Sequence, residues 1–154
     1  MPRAKTTLSR SPAESELNRW ASDFSEHRDC AVRAVAVVTG VSYAEAHAAL
    51  TAAGRAPRRG TYTPTIRSAL AALGFEAELQ NLQRIIDSYP GAHAQLRNVT
   101  THHPERFSKV WRDGRAYLLF TNEHVAGCVD GHVHDWTRGR ACRVTMVWEV
   151  KRQK

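Results

Sequence analysis

Residues capable of acid–base, nucleophilic or metal chemistry concentrate in one stretch, "NEHVAGCVDGHVHDW", from Asn122 to Trp136. Histidine, cysteine and aspartate together serve as metal ligands or as members of a nucleophilic triad, and they also form the polar surface of hairpins. Which of these applies depends on which side chains share a face. The candidates are His124, Cys128, Asp130, His132, His134 and Asp135.

The Asp-Gly pair at 130–131, between two apolar runs, predicts a two-residue β-hairpin, because both central positions of a type I′ turn require a positive φ. In this register Val129 faces His132, and side chains alternate between faces along each strand. His124 and His134 then point to opposite faces of the sheet and cannot bind one metal ion together without a bulge or a shift of register. We therefore predict no metal and no cofactor, and keep as a disfavoured alternative a zinc site formed by His124, Cys128, His132 and His134.

The same register brings His124 and Asp135 to one face as diagonal neighbours, about 5–8 Å apart at Cβ. An imidazole and a carboxylate at this separation can form the base and the orienting member of a nucleophilic triad, in which the carboxylate fixes the imidazole tautomer. His132 and His134 are predicted to be exposed strand residues on the other face. Cys128 shares the face of His124 but lies about 13 Å along the strand, and we predict that it packs in the core.

Cys30 is the best candidate for the missing nucleophile. It lies in the first turn of "DCAVRAVAVVTG", an apolar segment that predicts a buried helix with Asp29 as its N-cap and Gly40 at its end. The amide groups and the dipole of that helix favour a thiolate, and the backbone N–H of Cys30 would point into an oxyanion site. The carboxylate of Asp29 acts against this, so pairing with the His124 imidazolium would have to provide much of the activation.

Helical patterns precede strand patterns along the chain. A second helix carries a capping box, Ser42 with Glu45, and a third begins at Thr63 and Pro64. Strands follow at "FEAEL", "RAYLLF", "HVAGCV", "HVHDWT" and "CRVTMVWEV". This order predicts an α+β fold in which N-terminal helices pack on a C-terminal antiparallel sheet.

This order of elements resembles that of the papain-like cysteine proteases. The segment "GRAYLLFTNEHVAGCVDGHVHDW" is similar to the C39-like branch of that superfamily, and "RDCAVRAVAVVTGVSYAEAHAAL" to the cysteine helix of its small phage and bacterial members. The resemblance extends from about Asp29 to Trp148. It implies a papain-like fold and peptidase chemistry on a peptide or protein substrate, with Cys30 as nucleophile, His124 as general base and acid, and Asp135 as the orienting residue.

One departure from this family concerns the oxyanion hole. Papain-like enzymes commonly place a glutamine about six residues before the cysteine, and here that position is Phe24. Asn18, Ser25 and His27 are candidate replacement donors, and loss of one donor typically costs about 10²–10³ in rate. The alternative hypothesis is a catalytically degenerate papain-fold protein that uses a basic surface to bind nucleic acid or an acidic protein partner.

Composition and charge set the remaining expectations. With 154 residues, of which 42% are hydrophobic, the chain can bury one core; we expect a disordered basic arm at 1–14, a single domain at 15–150 and a basic tail at 151–154. The formal net charge of +7 favours non-specific polyanion binding. No apolar run approaches the roughly 20 residues that span a bilayer. We therefore expect a cytoplasmic protein without membrane contact, in the host cell if a phage encodes it.

Overall fold

The computed structural model describes residues 29–56, 61, 63–82, 114–121, 124–134 and 144–154. Within these ranges the chain forms three helices and then five strands. They are α1 (Cys30–Thr39), α2 (Tyr43–Ala52), α3 (Thr63–Ala72), β1 (Phe75–Leu79), β2 (Ala116–Thr121), β3 (His124–Val129), β4 (His132–His134) and β5 (Met146–Arg152). The predicted α+β class is confirmed.

The ends of the helices follow the predicted signals. Gly40 ends α1 in a left-handed conformation, with φ of 77°, and donates its N–H to the carbonyl of Ala36 at 2.9 Å. Ser42 caps α2 by accepting the N–H of Glu45 at 3.1 Å, as the capping-box pattern predicts. No helix within the described ranges is both long and apolar enough to cross a membrane.

The strands form one antiparallel sheet in the order β1-β5-β2-β3-β4. The β3–β4 hairpin has the predicted register, with Val129 opposite His132 and Gly127 opposite His134. This register is the basis for assigning side chains to faces, because directly opposed residues share a face and successive residues alternate.

The turn between β3 and β4 is of the predicted Asp-Gly kind. Both central residues have positive φ, 48° at Asp130 and 79° at Gly131, as a type I′ turn requires. The Asp130 carboxylate also accepts the N–H of Gly114 at 2.7 Å. The turn is thereby tied to the residues that lead into β2, which fixes the hairpin relative to the centre of the sheet.

The last strand differs from its prediction. The alternating pattern predicts a strand over 142–150, whereas β5 spans Met146–Arg152. Its last two residues pair with Glu76 and Phe75 of β1, so they belong to the sheet and not to a basic tail. Backbone pairing with β1 extends β5 beyond the end of its apolar pattern. The predicted arm at 1–14 lies outside the described residues.

The helices cover one face of the sheet. α1 packs on β3 and β2, α3 packs on β1, and α2 packs on both of these helices. The sheet side of this core consists of Phe75, Leu118, Phe120, Val125, Val129, Trp148 and Val150. The opposite face is also buried over the middle of the sheet, at Tyr117, Leu119, Ala126, Cys128 and Val147. Burial on both faces explains why β2 reads as a continuous apolar run instead of an alternating one.

α1 lies directly against the backbone of β3 at Gly127. A Cβ atom added there would lie 2.9 Å from Cγ1 and 3.0 Å from Cβ of Val37, and 3.2 Å from the carbonyl oxygen of Ala34. A β-branched side chain held in one rotamer and a helix carbonyl cannot easily move aside. The missing side chain at 127 therefore sets how deeply α1 packs against the sheet.

We predict that Gly127→Ala destabilises the protein by about 1–3 kcal/mol, because the added methyl group overpacks the contact with α1. Alanine within a strand is otherwise at least as favourable as glycine, so the sign of the effect is diagnostic. Urea unfolding measures it. In a double-mutant cycle with Val37→Ala the combined loss is expected to be smaller than the sum of the single losses; strictly additive losses would contradict the close contact.

Candidate active site at the start of α1

Cys30 occupies the predicted place as the first residue of α1, half-buried and packed against the apolar core. Cys30, Ala34 and Val37 follow the i, i+4, i+7 spacing that puts side chains on one stripe of a helix. Ala34 and Val37 are the residues that lie against Gly127 of β3. The stripe of α1 that faces β3 therefore begins at Cys30.

Asp29 sits at the N-cap position of α1, yet its side chain makes no capping hydrogen bond. The residue is buried, and both carboxylate oxygens accept from Nε of Arg33 at 3.0 Å. The hydroxyl of Tyr43, on α2, donates to Oδ2 at 2.7 Å. The expectation that Asp29 caps the helix holds for its position but is wrong for its side chain. In the bond to Arg33 both partners are charged, so a single contact balances the charge of the buried carboxylate, which a backbone amide would not do.

His124 is the first residue of β3, is half-buried, and pairs with Thr121 of β2. The Thr121 hydroxyl donates to the His124 carbonyl oxygen at 3.4 Å. Because Gly127 faces α1 and pairing is continuous along β3, strand alternation places His124 with Cys128 on the face away from α1. Cys128 is fully buried there, as predicted.

The other two histidines of the hairpin lie on the α1 side of the sheet. His134 is directly opposite Gly127, and His132 is two residues away on the same strand face. His132 is exposed, as predicted. His134 is not exposed: the residue is half-buried and its Nε2 atom is fully buried. The prediction of an exposed surface is therefore wrong for His134, which lies opposite Gly127, where α1 packs on the sheet.

The remaining predicted site residues lie outside the described residues. They are the orienting residue Asp135 and the oxyanion candidates Asn18, Ser25 and His27. The hairpin register is observed as far as the Gly127–His134 pair, one pair short of Asp135. The placement of Asp135 beside His124 stays a prediction from that register.

The described residues contain no assembled metal centre. No group of three or more histidine, cysteine, aspartate or glutamate side chains comes close enough in these ranges to hold an ion. The sheet register separates two of the candidate ligands, since His124 and His134 point to opposite faces.

Comparisons of the chain with family models, with curated proteins and with solved structures found no match. The proposed function therefore rests on the residues, their contacts and the resemblance described above.

The sequence pattern predicts neither the bonds of Asp29 with Arg33 and Tyr43 nor the close packing of α1 on Gly127. A signal for the first is present, because Arg33 is the one charged residue of an otherwise apolar helix and follows Asp29 at the i, i+4 spacing of helical ion pairs. A glycine within a strand is a signal for the second, since it often marks the close approach of another backbone. The hydroxyl of Tyr43 has no comparable signal, because its partner belongs to another helix.

The exposure of the two described cysteines predicts a difference in their reactivity. Iodoacetamide is expected to alkylate Cys30 in the folded protein, while Cys128, with 0% of its surface exposed, is protected until the protein unfolds. Peptide mapping after timed alkylation, with and without urea, measures both rates. Equal rates for the two cysteines in the folded protein would contradict the described burial.

Proposed function

We propose that this chain is a papain-like thiol hydrolase that cleaves a peptide or isopeptide bond. Cys30 is the nucleophile, His124 the general base and acid, and Asp135 the residue that orients the imidazole. The observation that carries the proposal is the position of Cys30 at the start of a buried helix that packs on the strand beginning with His124. An antiparallel sheet following the helices agrees with what the papain-like resemblance implies.

The proposed reaction has two halves. The His124 imidazole takes the proton of the Cys30 thiol, and the thiolate sulfur attacks the carbonyl carbon of the scissile bond. When the tetrahedral intermediate collapses, the C–N bond breaks and the imidazolium gives its proton to the leaving amine. Water then attacks the thioester with His124 as base, the C–S bond breaks, and the proton returns to sulfur. The reaction consumes one water and needs no cofactor.

The start of α1 supplies part of the environment that this reaction needs. Backbone N–H groups of the first helical turn have no acceptor within the helix. We assign the N–H of Cys30 to the oxyanion site, where a donor is most effective when it is fixed in place before charge develops. The second donor is assigned to Asn18, Ser25 or His27, in place of the glutamine that Phe24 replaces.

The contacts of Asp29 remove an objection to Cys30 as a nucleophile. A carboxylate adjacent in sequence to a cysteine disfavours the thiolate, because like charges repel. In this protein that carboxylate is neutralised by Arg33 within the same helical turn and receives a further hydrogen bond from Tyr43. The dipole of α1 and the imidazolium can then act on the thiol without an opposing net charge beside it.

The strand faces impose one requirement on the proposed pair. His124 points away from the face that α1 covers, so its imidazole can meet Cys30 only beyond the point where β3 begins, whereas His134 lies on the covered face. We assign the base to His124 because the hairpin register gives it Asp135 as a neighbour on the same face. His124 and His134 thus form a matched pair for mutation.

The net charge of +7 is the observation behind the alternative, a binding protein with a basic surface, but no contact among the described residues adds support to it. The cations at one end of the sheet already have local partners. Arg67 lies 4.3 Å from the centroid of the Trp148 ring, and Lys151 binds Glu78 at 3.0 Å, a contact that raises the pKa of the lysine. Arg115 lies 3.9 Å from Glu149. The two ion pairs reduce the density of free positive charge that polyanion binding requires.

The first test of the proposal is replacement of the nucleophile. Cys30→Ala and Cys30→Ser are expected to lower hydrolysis of a pool of internally quenched fluorogenic peptides by roughly 10³-fold or more, because the covalent route is lost. Cys128→Ala is the matched control and is expected to keep activity in the protein that remains folded. Cleavage that survives both Cys30 replacements would show that another residue is the nucleophile.

The second test compares the two histidines. A thiolate–imidazolium pair keeps Cys30 reactive toward iodoacetamide at mildly acidic pH, where an unassisted thiol is protonated. His124→Ala is expected to abolish this low-pH alkylation, and His134→Ala to retain it. The reverse pattern would assign the base to His134 and would contradict the roles proposed for His124 and Asp135.

A further inference from the structure

We propose that Asp29, Arg33 and Tyr43 are positioning residues for Cys30. They join the start of α1 to α2 and hold the carboxylate of the residue that precedes Cys30 in a charge-compensated state. This inference rests on the proposed function, because it concerns the nucleophile named there. Its effect on Cys30 can nevertheless be measured without turnover.

The three side chains form a compact buried set. The side chains of Arg33 and Asp29 are 9% and 4% exposed, and Tyr43 is 1% exposed. The carboxylate accepts from Nε of Arg33 at 3.0 Å on both oxygens and from the Tyr43 hydroxyl at 2.7 Å. Burial shields these contacts from salt, so they hold their geometry better than a surface pair would.

The set is placed where it can act on Cys30. Asp29 is the residue immediately before Cys30, so the carboxylate is among the charges closest to the thiol along the chain. Tyr43 comes from α2, so its bond fixes the start of α1 against a second element and not only against its own helix. The N–H of Arg33 also donates to the Asp29 carbonyl at 3.1 Å, closing the first turn of α1.

A buried ion pair adds little to the free energy of folding, because desolvation of the two charges offsets most of their attraction. Its distinctive effects are on geometry and on local charge. With Arg33 present, the charge of Asp29 is balanced; without Arg33, a negative charge would stand beside the thiol. The set therefore decides whether the N-terminal environment of α1 favours a thiolate or opposes one.

Other titratable groups on the elements packed around α1 have to be considered. β3, on which α1 packs, begins with His124, the proposed partner of Cys30. α2 carries His47, whose ring stacks on that of Tyr43 at 6.2 Å between centroids. β4 carries His132 and His134 on the α1 face of the sheet. α3 carries Arg67, which is engaged with Trp148. None of these groups changes in the variants below, so their contribution to Cys30 is constant across the comparison.

The test measures the rate of Cys30 alkylation by iodoacetamide against pH in the full chain, with peptide mapping to separate the cysteines. Arg33→Met leaves the carboxylate uncompensated, and the midpoint of the profile is expected to rise by about one pH unit. Asp29→Asn removes the negative charge of the residue before Cys30, and the midpoint is expected to fall. Arg33→Lys keeps the charge and is expected to keep the midpoint. Lys151→Met, which removes an exposed cation on β5, is the control and is expected to change nothing.

Opposite shifts from the two single variants are the signature of charge compensation, because a role in stability alone would move neither midpoint. Equal midpoints in folded Arg33→Met and Asp29→Asn would overturn the inference. If either variant fails to fold by circular dichroism, Tyr43→Phe carries the test, since it leaves the ion pair intact. It removes one donor to the carboxylate, so a smaller rise in the midpoint is expected and an unchanged midpoint would overturn the inference.

The two proposals fail in different ways. If wild-type Cys30 reacts no faster than a cysteine of the unfolded chain and no peptide is cleaved, the hydrolase proposal fails. The differences in midpoint between the variants still measure the effect of Asp29, Arg33 and Tyr43 on Cys30. If Cys30 is reactive and cleavage occurs but the variants share one midpoint, the hydrolase proposal stands and the positioning role fails.

Discussion

The packing of α1 against β3 is the constraint on which the rest of the structure depends. It requires a residue without a side chain at 127, because a Cβ there would meet Val37 at 2.9 Å. The contact fixes the stripe of α1 that begins at Cys30, and it decides which face of the hairpin meets the helices. The positions of the candidate nucleophile and of both candidate bases follow from this one approach of helix backbone to strand backbone.

The buried charged residues at the start of α1, Asp29 and Arg33, are a second constraint on the structure. A helix with nine consecutive buried residues, from Ala31 to Thr39, includes one arginine, and that arginine is tolerated because Asp29 balances it. The pair in turn needs Tyr43 to complete the hydrogen bonding of the carboxylate. The contacts of Asp29 with Arg33 and Tyr43 therefore both balance the charge near Cys30 and attach α2 to α1.

Local signals in the sequence predict much of the fold. The Asp130-Gly131 turn and its register, the Ser42 cap and the left-handed Gly40 are all observed as predicted, because each depends on chemistry within a few residues. The site is predicted less completely. The face that α1 covers, the burial of His134 and the bond from Tyr43 arise from contacts between distant segments, and strand periodicity assigns residues to faces without saying which face a helix will occupy. The extension of β5 to Arg152 likewise depends on its partner strand β1.

The central claim, that Cys30 and His124 form a thiol–imidazole pair, is tested most directly by the NMR titration of the His124 imidazole. A neighbouring thiolate stabilises the protonated ring. We therefore expect the midpoint of the His124 titration to move to lower pH in Cys30→Ala, while the midpoint for exposed His132 does not move. A titration of His124 that is the same in both proteins, or a shift confined to His134, would contradict it.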